Sequence, residues 1–275
     1  MPAGRDRVWG FIGLGSQGAP MARRMIDAGL DTVLWARRAA ALDPYRGTAA
    51  RFAGTVAELG RQADIVGLCV VDDDDVRQVC GMLLPGMRPG GVVAIHATIH
   101  PETCREIERM ASASGVGVID APVSGGAPAA EAGELTVMVG GAKADVEAAR
   151  PALQSFGKLV VHLGPVGAGQ LAKLVNNTLF AANLGMAHDA LLVAEALGIS
   201  KDSLAELIRA SSGRSYGFDV RARMPPPPKF RHPAELLAKD VRLLGEVMGE
   251  QAPGFGPLRD GADQFISFVL NAPEG

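Results

Sequence analysis

Three glycines near the amino terminus restrict the fold of this chain more than any other feature of its sequence. Gly13, Gly15 and Gly18 lie in the segment GFIGLGSQGAPMARRM with the spacing G-x-G-x-x-G. The run Val8–Ile12 before them is typical of a strand, and the amphipathic stretch Ala19–Ala28 after them is typical of a helix. Such glycines allow a tight turn, close approach of a ligand to the backbone, and close packing of helix on strand. The pattern therefore predicts a strand–turn–helix unit.

Short β-branched runs continue to alternate with helical patterns as far as residue 162. One helical pattern starts at Thr55, and Glu58 three residues later completes a capping box. Strands and helices in alternation predict βαβ units, and hence a parallel sheet covered by helices on both faces. The predicted strands are Val8–Ile12, Thr32–Trp35, Ile65–Val71, Val92–Ile95, Val116–Ile119, Thr136–Val139 and Lys158–His162.

After residue 162 the pattern is helical and no segment is convincing as a strand. Prolines 225–228 separate two helical groups, because proline is excluded from a helix interior. We therefore predict an α/β protein with a doubly wound Rossmann domain over residues 1–164 and an all-α domain over residues 165–275. The stretch 168–197 is apolar on nearly every side and needs packing partners all round, so we expect the helical domain to form a homodimer or homotetramer.

Composition and charge exclude several classes of partner. The net charge of −3 includes no basic patch that could neutralise the phosphates of a nucleic acid. Polar residues interrupt the long apolar stretch, so we expect no membrane span. Three cysteines are an odd number and lack metal-ligand spacing. We expect reduced thiols in a cytoplasmic protein with no metal site.

The glycine fingerprint predicts a dinucleotide site, because its backbone N–H groups and the following helix N-terminus favour a pyrophosphate. NAD-binding domains usually carry an acidic residue after the second strand, about 20 residues past the fingerprint. Here Arg37 and Arg38 follow that strand, and no acid lies between Asp31 and Asp43. A guanidinium pairs well with a phosphate dianion, so we expect NADP (NADPH) rather than NAD. The expected cofactor contacts of the two turns and the strand end are Gly13, Leu14, Gly15, Ser16, Gln17, Gly18, Arg37, Arg38, Val70 and Val71.

Two further motifs carry polar groups suited to a small substrate. In DAPVSGG, Ser124, Gly125 and Gly126 end a predicted strand at the sheet edge where ligands bind, and they could either cradle a carboxylate or form an ordinary glycine turn. In GPVGAGQLAKLVNN, residues Lys173 and Asn177 are four apart and share one helix face. A proton donor and an amide would thus project together from an apolar helix.

The order of these motifs resembles the β-hydroxyacid dehydrogenase family, of the 3-hydroxyisobutyrate dehydrogenase and tartronate semialdehyde reductase type. The fingerprint, DAPVSGG followed by EAGELTVMVGG, GPVGAGQLAKLVNN, and a Lys-Asp pair at residues 239–240 span most of the chain. The resemblance implies reversible hydride transfer between a nicotinamide and a small semialdehyde or 3-hydroxy acid. It implies Lys173 as the general acid, Asn177 as a hydrogen-bond partner of the substrate, and Ser124, Gly125 and Gly126 as the carboxylate site.

The chain also departs from the family pattern. His96, Ala97 and Thr98 stand where the family commonly has Asp-Ser-Thr; Thr98 keeps the position that faces the nicotinamide ribose, and we expect no catalytic role for His96. Lys239 is carried over as a residue near the cofactor. The spacing between the prolines and Lys239 is shorter than usual, so the resemblance leaves the substrate unidentified.

Three alternatives stay open on the sequence alone. Imine reductases share this architecture but commonly replace the lysine with aspartate or tyrosine, and oxidative decarboxylases of sugar acids carry a larger helical domain. A non-catalytic NADPH-binding module is the third alternative, against which Lys173, Asn177 and Ser124 argue.

Overall fold

The computed structural model describes residues 7–249 and 253–273. These residues pack as two compact units, one up to Lys173 and the other from Leu174. The division predicted at residues 164 and 165 stays a prediction, and its terminal residues 1–6 and 274–275 lie outside the described part. The first unit contains the following elements in chain order: β1 (Trp9–Ile12), α1 (Gly18–Asp27), β2 (Thr32–Trp35), β3 (Arg51–Phe52), α2 (Val56–Gln62), β4 (Ile65–Leu68), α3 (Asp73–Leu83), β5 (Val92–Ile95), α4 (Pro101–Ser112), β6 (Gly117–Asp120), β7 (Val123–Ser124), α5 (Gly126–Ala132), β8 (Leu135–Gly141), α6 (Lys143–Phe156) and β9 (Gly157–Gly164).

The sheet of the first unit has the strand order β3-β2-β1-β4-β5-β6 with all these strands parallel. This is the strand order of a doubly wound dinucleotide-binding fold. Successive strands are added on one side of β1 as far as β3, and from β4 onward they are added on its other side. Alternate side chains of each strand enter opposite cores. Phe11 packs with Met21 of α1, whereas its neighbour Ile12 packs with Leu59 of α2. The predicted Rossmann architecture is confirmed.

The expectation of a wholly parallel sheet is wrong at one edge. β8 runs antiparallel to β6 and β7, and β9 pairs parallel with β8. Residues 121–134 lie between β6 and β8 and contain the two-residue strand β7 and the seven-residue helix α5. β8 pairs with both β6 and β7, so the chain turns back beside the strands it has just left.

Sequence patterns that involve neighbouring residues predicted the local structure better than patterns of very short segments. Thr55 accepts the N–H of Glu58 at 3.1 Å, as the predicted cap of α2 requires, while the Glu58 carboxylate accepts at 2.8 Å the N–H of Gly54, one residue before the cap. The predicted strand Ile65–Val71 ends at Leu68. The two-residue strands β3 and β7 were not predicted, because they are too short to show periodicity.

The second unit is helical throughout its described residues, and the all-α prediction is confirmed. Its helices are the greater part of α7 (Ala168–Ala196), α8 (Lys201–Ala210), α9 (Tyr216–Ala222), α10 (Arg231–Met248) and α11 (Phe255–Leu270). The proline run ends in a 3-10 turn over Pro227–Phe230. Phe265 and Ala262 of α11, Ala181 of α7 and Leu237 of α10 form its core. Among the described helices, none combines the length and apolarity needed to cross a membrane.

Candidate active site

The three fingerprint glycines occupy three different environments, as their predicted roles require. Gly13 has a φ of +98°, and a Cβ there would collide with the backbone oxygen of Cys69. A Cβ on Gly18 would collide with the carbonyl oxygen of Gly13. A Cβ on Gly15 would meet no described atom within 4 Å. The first and third glycines therefore allow close packing between β1 and β4, and the second leaves room for a ligand to approach the backbone.

The remaining predicted cofactor contacts lie around the same turn. Leu14 packs against the core, Ser16 is exposed, and Gln17 is the residue that precedes α1. Beyond β4, Val70 is half-buried and Val71 is 73% exposed. An exposed valine beside a glycine turn offers an apolar surface to a planar ring.

The arginines that follow β2 have different surroundings. Arg37 donates to the Asp75 carboxylate at 2.7 Å, while Arg38 is exposed at the start of a 3-10 turn. Asp75 lies in the first turn of α3, where Asp72 accepts its N–H at 2.9 Å. Arg37 is thus already held by a carboxylate.

Ser124 ends β7, and the two glycines that follow have backbone conformations that side chains disfavour. The register of β6 and of β7 on β8 is the same, since Asp120 pairs with Gly140 and Ser124 with Thr136. β7 therefore continues the line of β6 beyond the carboxyl edge of the parallel sheet. Gly125 and Gly126 have φ values of +130° and +69°. The segment places a hydroxyl and two exposed peptide groups at the edge where ligands bind.

Lys173 lies in the second turn of α7 and is only 8% exposed. The start of this helix is fixed by Asp120 at the end of β6, whose carboxylate oxygens accept the N–H groups of Gly167 at 2.6 Å and Gln170 at 2.7 Å. Burial raises the pKa of Asp120, and these N–H groups oppose that shift. A buried carboxylate thus caps the helix that carries the candidate acid.

Asn177 and Lys239 of the second unit both contact Asp240, a residue with no role predicted from the sequence. Asn177 Nδ2 donates to Asp240 Oδ2 at 2.6 Å, and Lys239 Nζ lies 3.6 Å from Asp240 Oδ1. Asp240 is 4% exposed. Its position directly after Lys239 was a signal, but its contact with Asn177 spans 63 residues and leaves no mark in a local pattern.

His96 is a structural residue in this arrangement. Its ring is buried beside Phe11 and Phe156, and Nδ1 lies 2.8 Å from the carbonyl oxygen of Ala121. Since a carbonyl only accepts, Nδ1 carries the proton. Burial lowers the pKa of His96 to about 4, so the ring is neutral at physiological pH. Thr98, two residues further on, lies in the loop after β5.

Two family models match the chain over consecutive ranges. Residues 8–164 match the NAD-binding domain of 6-phosphogluconate dehydrogenase, and residues 167–259 match the domain described as NAD-binding of NADP-dependent 3-hydroxyisobutyrate dehydrogenase. Together they cover both units. A nicotinamide dinucleotide is therefore the cofactor class.

Similar proteins agree with the family models. An NAD-dependent L-serine dehydrogenase of Pseudomonas aeruginosa is 35% identical over 257 residues, covering 86% of this chain and 84% of that protein. The solved 3-hydroxyisobutyrate dehydrogenase of Mycobacterium tuberculosis with L-serine has a TM-score of 0.84 and 28% identity, and the match covers 96% of this chain and 94% of the other. The solved protein Psf3, in complex with NADP+ and 2-OPP, has a TM-score of 0.80 and 25% identity, with 94% and 92% covered. The chain belongs to the β-hydroxyacid dehydrogenase family and is an NAD(P)-dependent enzyme that acts on CH–OH donors.

Proposed function

We propose that this protein is an NADPH-dependent oxidoreductase that interconverts a small carboxylate-bearing semialdehyde and the corresponding 3-hydroxy acid. The observation that carries the proposal is the burial of Lys173 on a helix whose first turn is capped by Asp120. A lysine that is only 8% exposed holds its Nζ largely out of bulk water, where it can act as a positioned proton donor to a bound substrate. Because the chain belongs to a family of dehydrogenases, we set aside the alternative of a non-catalytic NADPH-binding module.

In reduction, Lys173 Nζ gives a proton to the carbonyl oxygen as the carbonyl carbon receives hydride, and in oxidation the neutral amine takes that proton back. The bound nicotinamide supplies the hydride. A positioned acid of this kind contributes a factor of about 10² to 10⁴ to the rate. Asn177 is assigned a hydrogen bond to the substrate, and Ser124, Gly125 and Gly126 are assigned its carboxylate.

The choice of NADPH rests on Arg37 and Arg38. The 2′-phosphate would take over the Arg37 guanidinium from Asp75, and exposed Arg38 would add a second cation. The domain description that names an NADP-dependent enzyme and the Psf3 complex with NADP+ support this choice. The Pseudomonas aeruginosa relative is NAD-dependent and argues for NAD instead.

The substrate class rests on the Ser124 segment and on the chemistry of the relatives. L-serine and 3-hydroxyisobutyrate both carry a carboxylate two bonds from a CH–OH carbon, and each is named with a similar protein. A cradle of one hydroxyl and two glycine peptides fits such a carboxylate. The imine-reductase alternative lacks this requirement, because imines need no carboxylate.

We also propose that the protein is a homo-oligomer in which a second copy covers an exposed stripe on α7. The stripe consists of Val175, Leu179, Met186 and Val193 of α7 and of Leu197, which directly follows the helix and donates its N–H to the carbonyl oxygen of Val193; each is 49% to 71% exposed. Their spacing of four, seven, seven and four residues keeps them on one helix face, as in a helix–helix seam. A twofold axis across the stripe would bring the same apolar residues from both copies together.

The proposed chemistry is tested by substrate-dependent NADPH oxidation with short aldehydes that carry or lack a carboxylate. We expect turnover with the carboxylates, and a loss of about 10²-fold or more in Lys173→Ala with NADPH binding retained. Lys158→Ala, at an exposed lysine of β9, is the matched control. Near-normal rates in Lys173→Ala would refute the mechanism, and equal turnover of aldehydes without a carboxylate would refute the substrate class.

A further inference from the structure

The loop that contains Thr98 is held by one buried side chain. Gln170 Nε2 donates to the carbonyl oxygen of Ala97 at 2.8 Å, and Gln170 Oε1 accepts the N–H of Ile99 at 3.2 Å. The two bonds lie on either side of Thr98. Gln170 and Ile99 are 0% exposed and Ala97 is 4% exposed. Without the amide, two buried backbone groups would lose their partners, at about 1–3 kcal/mol each.

Gln170 is itself fixed at its backbone. Its N–H donates to Asp120 Oδ2, and it lies three residues before Lys173 on α7. Asp120 is fully buried at the end of β6. One residue thus connects three parts of the first unit: the loop after β5, the end of β6 and the start of α7.

Two glycines show how closely these parts pack. A Cβ on Gly140 would collide with Asp120 Oδ1, and a Cβ on Gly169 would lie 2.9 Å from Asp120 Oδ2. Neither position leaves room for a methyl group. The first turn of α7 is therefore closely packed, and a small shift of the helix cannot compensate for a change at Gln170.

We propose that Gln170 is a positioning residue that sets the Thr98 loop, and with it the nicotinamide ribose, relative to the proton donor Lys173. This inference rests on the proposed function, in which hydride and proton reach the two atoms of one carbonyl group. Misplacement of reacting groups by about 1 Å can cost 10²-fold in rate. A carboxamide suits this task because it donates and accepts at once in a fixed plane.

Two substitutions separate positioning from folding. Gln170→Leu removes both bonds, whereas Gln170→Glu keeps the shape, keeps the acceptor and regains the donor only when its new carboxyl is protonated. Asp120 accepts the Gln170 N–H, the buried Cys104 thiol lies beside the Gln170 side chain, and the cation Lys173 is three residues further along α7; burial raises the pKa of Cys104. Burial and the Asp120 charge both favour the protonated carboxyl.

The measurement is kcat per NADPH-binding site between about pH 6 and pH 8, which counts only folded protein. We expect Gln170→Leu to lose about tenfold to hundredfold in kcat at every pH, relative to the wild type. The Gln170→Glu to wild-type ratio should rise on acidification and exceed the Gln170→Leu ratio at the low end. Gln154→Leu and Gln154→Glu, at an exposed glutamine of α6, should match the wild type throughout. The proposal is overturned if kcat of Gln170→Leu stays within about twofold of the wild-type value. It is also overturned if, at low pH, the Gln170→Glu to wild-type ratio does not exceed the Gln170→Leu to wild-type ratio.

A second readout does not depend on turnover. Hydrogen exchange at the Ile99 amide should be faster in NADPH-bound Gln170→Leu than in the wild type, and unchanged exchange would overturn the proposal. If the wild type turns over no carbonyl compound, the proposed function fails while this readout still decides whether Gln170 holds the loop.

Discussion

Asn177 and Asp240 form a hydrogen bond of 2.6 Å between α7 and α10. Because an ionised carboxylate only accepts, the bond fixes which end of the Asn177 amide points toward Asp240. Asn177 Oδ1 then faces Asn176, whose Nδ2 lies 3.1 Å away. The amide assigned to substrate binding is therefore oriented before any substrate arrives, and the residue that orients it also lies beside Lys239.

We expect Asp240→Asn to lower kcat/KM by about tenfold or more, because a hydrogen bond to a charged group contributes about 1.5–3 kcal/mol. The amide of Asp240→Asn can donate as well as accept, so it no longer fixes the orientation of the Asn177 amide. Steady-state kinetics with the best carboxylate substrate measure the effect. Asp263→Asn, at a partly exposed carboxylate of α11, is the control. Unchanged kcat/KM in Asp240→Asn would show that this contact does not matter for the reaction.

Local patterns predicted most of the first unit, since a glycine turn, a capping box and alternating hydrophobicity depend on residues close in sequence. The direction of β8 was beyond such patterns, because it is set by pairing with β6 and β7 and not by residues close in sequence. The same limit applies to the candidate site. Lys173 lies in a motif, but the contacts that fix the start of its helix and the loop after β5 join Gln170 to Asp120 and to Ala97, which are 50 and 73 residues away in sequence.

Asp75 should influence cofactor choice through Arg37. The exposed pair of Arg37 and Asp75 is worth about 0.2–1 kcal/mol, and the 2′-phosphate must replace it. We expect Asp75→Asn to tighten NADPH binding by up to about fivefold and to leave NADH binding unchanged.

We expect the double variant Arg37→Ala with Arg38→Ala to weaken NADPH binding by about tenfold to hundredfold. Titration with both cofactors measures the change, with Arg109→Ala on α4 as the control. An equal loss for NADH would contradict a 2′-phosphate contact.

The α7 stripe can be tested by introducing charge into its centre. We expect Met186→Glu and Val193→Glu to shift the protein toward monomer, because two copies would bury like charges against each other. Light scattering after size-exclusion chromatography gives the mass. Leu207→Glu, which places the same charge at an exposed leucine of α8, should keep the wild-type mass. A wild-type protein that is monomeric at micromolar concentration would refute the proposal.

His96 should make the stability of the first unit depend on pH. Its folded pKa of about 4 lies below the ordinary value of about 6.5, so the folded state binds its proton less readily than the unfolded state. Stability is therefore unaffected by this group above about pH 6.5 and falls as the pH drops from there toward about 4, by about 3 kcal/mol in all. We expect His96→Leu, which has no proton to bind, to flatten this part of the profile, although loss of the bond to Ala121 lowers its stability at neutral pH. Urea unfolding monitored through Trp9, which lies in the same core as Phe11, measures both curves. Parallel curves for wild type and His96→Leu between pH 7 and pH 4 would assign the acid sensitivity to other groups.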